Sequence, residues 1–245
     1  MRKAMLFTVF ATAFVCAAVV NVPLSFAMKR SGIIQQGIGW QQARGTIWHG
    51  QVTGLVVRGD AAGAVEGDFS LVRLLQGKPG HLIHWTGPFG RGSAFAAVTP
   101  DHVTIRQGRA IVTFDATRIS SAFPAQDVSL RLSDVSLVLD RAGCRTASGD
   151  VSTDALASIS ATYGAAWPEL TGFLTCEKSE LAISVKGRAA DGTQIAARAN
   201  LQGGGRLELW DVPESQTTAL LLAGFTNNEG RFVYMQTSPN GETSQ

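Results

Sequence analysis

The residues with most chemical reach are four histidines, His49, His81, His84 and His102, and two cysteines beyond the N-terminal region, Cys144 and Cys176. His81 and His84 stand three apart in a stretch that reads as a strand, so they face opposite sides of it and cannot share one ion. Two thiols with no histidine nearby do not complete a tetrahedral zinc set. Asp150 and Asp154 straddle a strand-to-helix boundary, where Asp154 reads as a helix N-terminal charge. Gly203-Gly204-Gly205 precedes a strand rather than a helix, which makes it a turn and not a phosphate cradle. Nothing forms a nucleophile elbow, a phosphate loop or a zinc motif. The expectation is therefore no enzyme, no catalytic residue, no metal and no cofactor. An even cysteine pair beyond an export-type segment suggests a disulfide between Cys144 and Cys176, with two buried free thiols as the alternative. Such a bridge closes a loop of roughly 30 residues and stabilises by about 3–4 kcal/mol in the chain-entropy picture.

The elements that would position these residues begin with an uncharged stretch. Ala4–Met28 carries no charged side chain, follows Arg2 and Lys3, and is long enough to span about 30 Å of hydrocarbon as a helix. Three readings compete: a retained anchor, a signal peptide cleaved near the small-x-small triplet Ser25-Phe26-Ala27, and a buried helix. The length of the run favours the anchor. Cys16 reads as an apolar filler in it, since Phe14 and Val15 are too bulky for a lipid-attachment signal. Lys29 and Arg30 follow the segment, so basic residues flank both ends and the charge bias for orientation is small. The organisation expected is an anchor over residues 1–30, a β-rich domain over 31–237 and a loose tail over 238–245. Hydrophobic content of 45% and charged content of 16% suit a packed domain and not a disordered chain. A net charge of +2 without a basic stripe argues against nucleic acid.

Beyond the segment the chain alternates apolar and polar residues between glycines, the mark of antiparallel strands with one face covered. Val103 and Ile105, then Ala110, Val112 and Phe114, flank Gln107-Gly108 and predict a hairpin. Val128, Leu130 and Leu132 fall out of phase with Val135, Leu137 and Leu139 at Ser133-Asp134, which predicts a bulge or a tight turn. A meander follows through Leu181–Val185, the Asp191-Gly192 turn, Ile195–Leu201 and Leu207–Leu209. Leu156, Ile159 and Tyr163 form one face of a helix starting at Thr153-Asp154 and ending at Gly164. A second short helix is expected over Glu214–Ala223, and a last strand through Phe232–Tyr234. Trp40, Trp48, Trp85, Trp167 and Trp210 are spread along the domain and read chiefly as sheet anchors, with a binding surface as the minority role.

One block has a more specific look. Gly45-Thr46-Ile47-Trp48-His49-Gly50 places a β-branched pair and a tryptophan between two glycines, which suits a strand entering a tight bend. Preceded by an apolar segment, it resembles the opening of the type II secretion system protein N family; Leu71–Gly77 resembles that family's Leu-Leu-x-Gly segment, and Gly172-Phe173-Leu174-Thr175-Cys176 is a third match. Phe69 stands where that family often has a tryptophan. The resemblance implies a bitopic inner-membrane protein, anchored through residues 4–28, with a twisted antiparallel sheet domain in the periplasm. It implies an accessory or assembly role in moving folded proteins across the outer membrane, with other type II secretion components as partners. Gly45, Trp48 and Gly50 become candidate interaction or structural residues. The family is distantly similar to AsmA-like proteins, which makes a lipid-handling β-groove the alternative; fold-level likeness transfers no function by itself.

Overall fold

The computed structural model describes residues 2–57, 59–70, 74, 77, 79–118, 124–163, 166–200 and 204–236. The chain forms two compact units, residues 1–97 and 98–245. Every strand pairing described is antiparallel.

Unit 1 opens with helices α1 (Arg2–Val20) and α2 (Leu24–Arg30) and a 3-10 turn at Ile33–Gln36. Its strands are β1 (Ile38–Gly39), β2 (Gln42–Gly45), β3 (His49–Val57), β4 (Asp60–Phe69), β5 (His81–Gly87) and β6 (Gly90–Val98). β1 and β2 both pair with β3, and the order then follows the sequence from β3 to β6. The uncharged stretch expected as one helix is broken at Asn21–Pro23. Asn21 donates to the Ala17 carbonyl through both its backbone N–H (3.2 Å) and its side-chain Nδ2 (2.8 Å). Pro23 has no N–H to continue the ladder and instead forms an isolated antiparallel bridge with Thr46. Among the described residues no helix is long and apolar enough to cross a membrane.

Unit 2 contains β7 (His102–Asp115), a 3-10 turn at Ala116–Arg118, β8 (Asp127–Asp140), β9 (Gly143–Thr153), α3 (Ala155–Tyr163), β10 (Leu170–Glu177), β11 (Glu180–Arg188), β12 (Gln194–Asn200), β13 (Gly205–Trp210), α4 (Glu214–Leu222), β14 (Thr226–Asn228) and β15 (Arg231–Gln236). The order runs β7 to β13 in sequence, then β15, with β14 outermost. The hairpin expected at Gln107-Gly108 is not one: β7 runs straight through it for 14 residues. Gln107 takes φ 52° and the register with β8 shifts on either side of Gly108, so the apparent turn is a bulge. β8 is equally long and carries its own bulge at Asp134 (φ 50°), the bulge alternative of the sequence reading. A partner of matching length and matching kink keeps β7 extended.

The core of unit 2 is continuous. Ala116, Val128, Val151, Leu156, Leu170, Leu174, Val185, Ile195, Leu209 and Phe232 form one buried cluster, drawn from the strands, the 3-10 turn at Ala116–Arg118 and α3. The tail over 238–245, most of Leu71–Gly77, Gly203, and the helix-ending Gly164 lie outside the described residues.

Candidate functional site

The best-defined local site is the turn joining β2 to β3. Gly45 adopts φ 82°, and a Cβ there would lie 2.4 Å from the His49 carbonyl oxygen. Gly50 has no room either: a Cβ would lie 2.6 Å from Leu24 Cδ2 and 2.7 Å from the Thr46 oxygen. Between them the Thr46 N–H donates to the His49 carbonyl (2.9 Å), while Thr46 Oγ1 accepts from the backbone N–H groups of Trp48 and His49 (3.3 Å each). The turn is thus closed on itself and close-packed against α2.

It also reaches back to the helix break. The Ile47 N–H donates to the Val22 carbonyl (3.1 Å) and the Trp48 indole Nε1–H to the Val19 carbonyl (3.0 Å). The Val19 carbonyl has no i+4 donor, since residue 23 is proline, and keeps only a long bond from the Val22 N–H (3.4 Å); the Trp48 indole supplies a second donor at the break. The Trp48 ring meets Phe69 edge-on at 4.9 Å, and Phe69 meets His81 at 5.2 Å. The His81 Nε2–H donates to the Ile47 carbonyl (2.8 Å), and the Phe69 N–H to the Trp48 carbonyl (2.7 Å). His49 Nδ1 hydrogen-bonds the Asp68 carboxylate at the exposed end of β3. Gly45, Trp48 and Gly50 are therefore brought together as one bracket, and its chemistry is donation and packing.

The remaining polar residues fall elsewhere. His84 is exposed on β5, and His102 pairs with the Thr99 hydroxyl (3.1 Å). Among the described residues no group of three or more His, Cys, Asp or Glu could hold a metal. A shallow, mostly apolar cavity of about 370 Å³ in unit 1 is lined by Leu55, Val56, Ala61, Ala64 and Pro88, with Gln41 and Thr86 among its polar members.

In unit 2, Cys144 and Cys176 form a disulfide with a Cα–Cα distance of 5.5 Å. The β9–β10 pairing runs from Thr153↔Leu170 to Phe173↔Asp150, and the disulfide continues the tie toward the start of β9. The Cys144 N–H also donates to the Ser179 carbonyl (2.7 Å). Helix α3 lies within the closed loop and buries Leu156 in the core. Asp154 precedes α3, but its carboxylate accepts from the backbone N–H and the hydroxyl of Ser129 (2.6 Å each), fastening β8 rather than serving the helix alone. Asp191, in the β11–β12 turn, is held below the usual carboxylate range chiefly by the Thr193 N–H (2.9 Å), with Gln216 Nε2 (3.0 Å) adding and burial opposing. Sequence reasoning did not find the Trp48–Val19 or Ser129–Asp154 links. Each joins positions more than twenty residues apart, and no local pattern records such a pairing.

Fold and site define an antiparallel-sheet scaffold with an apolar N-terminal helix bracketed to its first hairpin. The family described as type II secretion system (T2SS), protein N, matches residues 36–234, and the chain belongs to it as an accessory subunit of type II secretion. The matched span holds all three blocks that carried the resemblance and begins after α1 and α2. Membership implies association with other type II secretion components and a place in the cell envelope. No curated protein and no solved structure matches the chain.

Proposed function

We propose that the chain is a single-pass inner-membrane subunit of the type II apparatus, held by residues 4–28, with its sheets in the periplasm. The observation that carries this is the unburied apolar surface of α1, where Phe10 and Phe14 are 69% and 66% exposed. Leaving a large apolar side chain in water forfeits about 1.5–3 kcal/mol each, and a bilayer recovers it. The anchor reading rests on 25 uncharged residues, 4–28, and not on α1 alone. A break of helix in such a segment is tolerated where side chains and neighbouring backbone satisfy the freed groups, as the Trp48 turn does at Val19. The disulfide favours the oxidising side of the membrane. The Gly45-Trp48-Gly50 bracket fixes how α1 leaves the first hairpin. Partner subunits dock on exposed edge strands such as β14, whose three residues are all exposed.

Deleting the gene tests the role. Type II substrates should accumulate in the periplasm of the deletion strain, and normal export would count against it. A second reading, lipid handling by unit 1, is favoured by the shallow apolar cavity near Leu55 and Pro88. Lipid co-purifying with detergent-free protein lacking residues 1–30 would support it, and clean mass spectra would remove it.

A further inference from the structure

The charge of the chain is unevenly placed. Residues 1–59 contain Arg2, Lys3, Lys29, Arg30, Arg44 and Arg58 and not one Asp or Glu; the first carboxylate is Asp60. The rest of the chain is net acidic, since the whole carries only +2. The short helix α2 lies in the middle of this basic region. Its inner side is committed: Leu24 packs on Gly50. Its outer side is not, for Phe26, Lys29 and Arg30 are exposed, at the i, i+3 and i+4 positions of one helix face. The Arg30 guanidinium lies 5.7 Å from the Phe26 ring centroid, so the exposed aromatic and the charge form one surface. Ile34 extends the apolar part and Arg44, on neighbouring β2, is also exposed.

An exposed apolar ring beside Arg30, with Lys29 on the same helix face and Arg44 on neighbouring β2, directly after an apolar helix, is complementary to a phospholipid surface, although Glu66 lies in the strand row of Arg44 through Gln51. The ring enters the acyl boundary while the ammonium and guanidinium groups meet phosphates. We infer that the outer face of α2, with Arg44, binds the anionic headgroups of the membrane in which α1 sits. This rests on the anchor reading and adds to it a lipid class and a second contact. The end of α2 would then emerge from the 4–28 segment at the interface, and the Trp48 indole bonded to Val19 would sit near headgroup depth, where amphipathic rings concentrate.

The test uses the full chain in vesicles of phosphatidylcholine, alone or with phosphatidylglycerol. A benzophenone amino acid replaces Phe26 in one preparation and Phe10 in another, and adducts are read by mass spectrometry. From position 26, phosphatidylglycerol adducts should exceed their share of the lipid. They should fall about ten-fold or more in K29E/R30E/R44E, and fall as salt rises. From position 10, adducts should form with either lipid and ignore the triple change. Lipid adducts from position 10 without any from position 26 would overturn the inference and leave the anchor intact. Adducts from position 26 that follow lipid abundance alone, or that in native membranes are to an acidic protein, would also overturn it. Phosphatidylglycerol adducts from position 26 with none from position 10 would uphold the headgroup contact and sink the anchor.

Discussion

Residues 98–245 and residues 1–97 are both antiparallel sheets, yet different forces hold them. Unit 2 owns the whole buried cluster from Ala116 to Phe232 and closes it with a disulfide. In unit 1 only Val52, Phe95 and Ala96 are buried apolar residues among those described. Its cohesion comes from glycines that admit close backbone approach and from long polar reaches such as Trp48 to Val19 and Trp85 Nε1 to Ala62 (2.6 Å). A sheet with little core of its own is what the proposed membrane anchoring of unit 1 calls for. Unit 2 carries a continuous core of its own. Area burial scales stability in the second case, and geometry at a few atoms sets it in the first.

Breaking the core of unit 2 should have the largest effect. Phe232→Ala empties a site at which the side chain is almost wholly enclosed and should lower unfolding stability by about 4 kcal/mol, read as a drop in urea midpoint. Removing the disulfide in C144S/C176S should cost about 3 kcal/mol and lower the midpoint with little change at α1 or α2. Both changes should leave unit 1 amide exchange near its original rate.

Changes in unit 1 should be smaller and local. Trp48→Phe keeps a ring against Phe69 and deletes only the indole N–H that reaches Val19. It should cost about 1 kcal/mol, seen as roughly five-fold faster exchange of the Ile47 amide, while unit 2 amides stay protected. The smallest effect is expected at Asp191. Its lowered folded pKa means that its contribution is full above the unfolded carboxylate value and is lost as pH falls through the folded one. The gap in thermal midpoint between the wild type and Asp191→Asn should therefore be present at neutral pH and close in acid. A gap that widened in acid would contradict the assignment of Asp191 as a stabilising acceptor.

The same contrast explains what the sequence disclosed. The meander β11 to β13 was readable because its core residues, Val185, Ile195 and Leu209 among them, alternate over a one-sided core. The helix at 155 was marked by its start at Thr153-Asp154, and the cysteine pair by its count and its place after an apolar segment. Gln107-Gly108 misled because a turn and a bulge demand the same local chemistry; only the length of β8 decides between them. The apolar run 4–28 looked like one helix because hydropathy does not register Pro23, which has no N–H to continue the ladder and instead bridges Thr46. The bracket at Gly45, Trp48 and Gly50 could be flagged by its glycines and tryptophan. What it grips could not, because Val19 and Leu24 lie 29 and 26 positions away and enter only through the folded chain.

The account turns on whether residues 4–28 stay with the protein as its tether. The direct measurement is mass-spectrometric mapping of the N-terminus of the mature protein isolated from membranes. Peptides covering Phe10 through Phe26 in the membrane-bound protein are the predicted result. A mature protein beginning at Met28 would contradict it, and with it the proposed anchoring of unit 1.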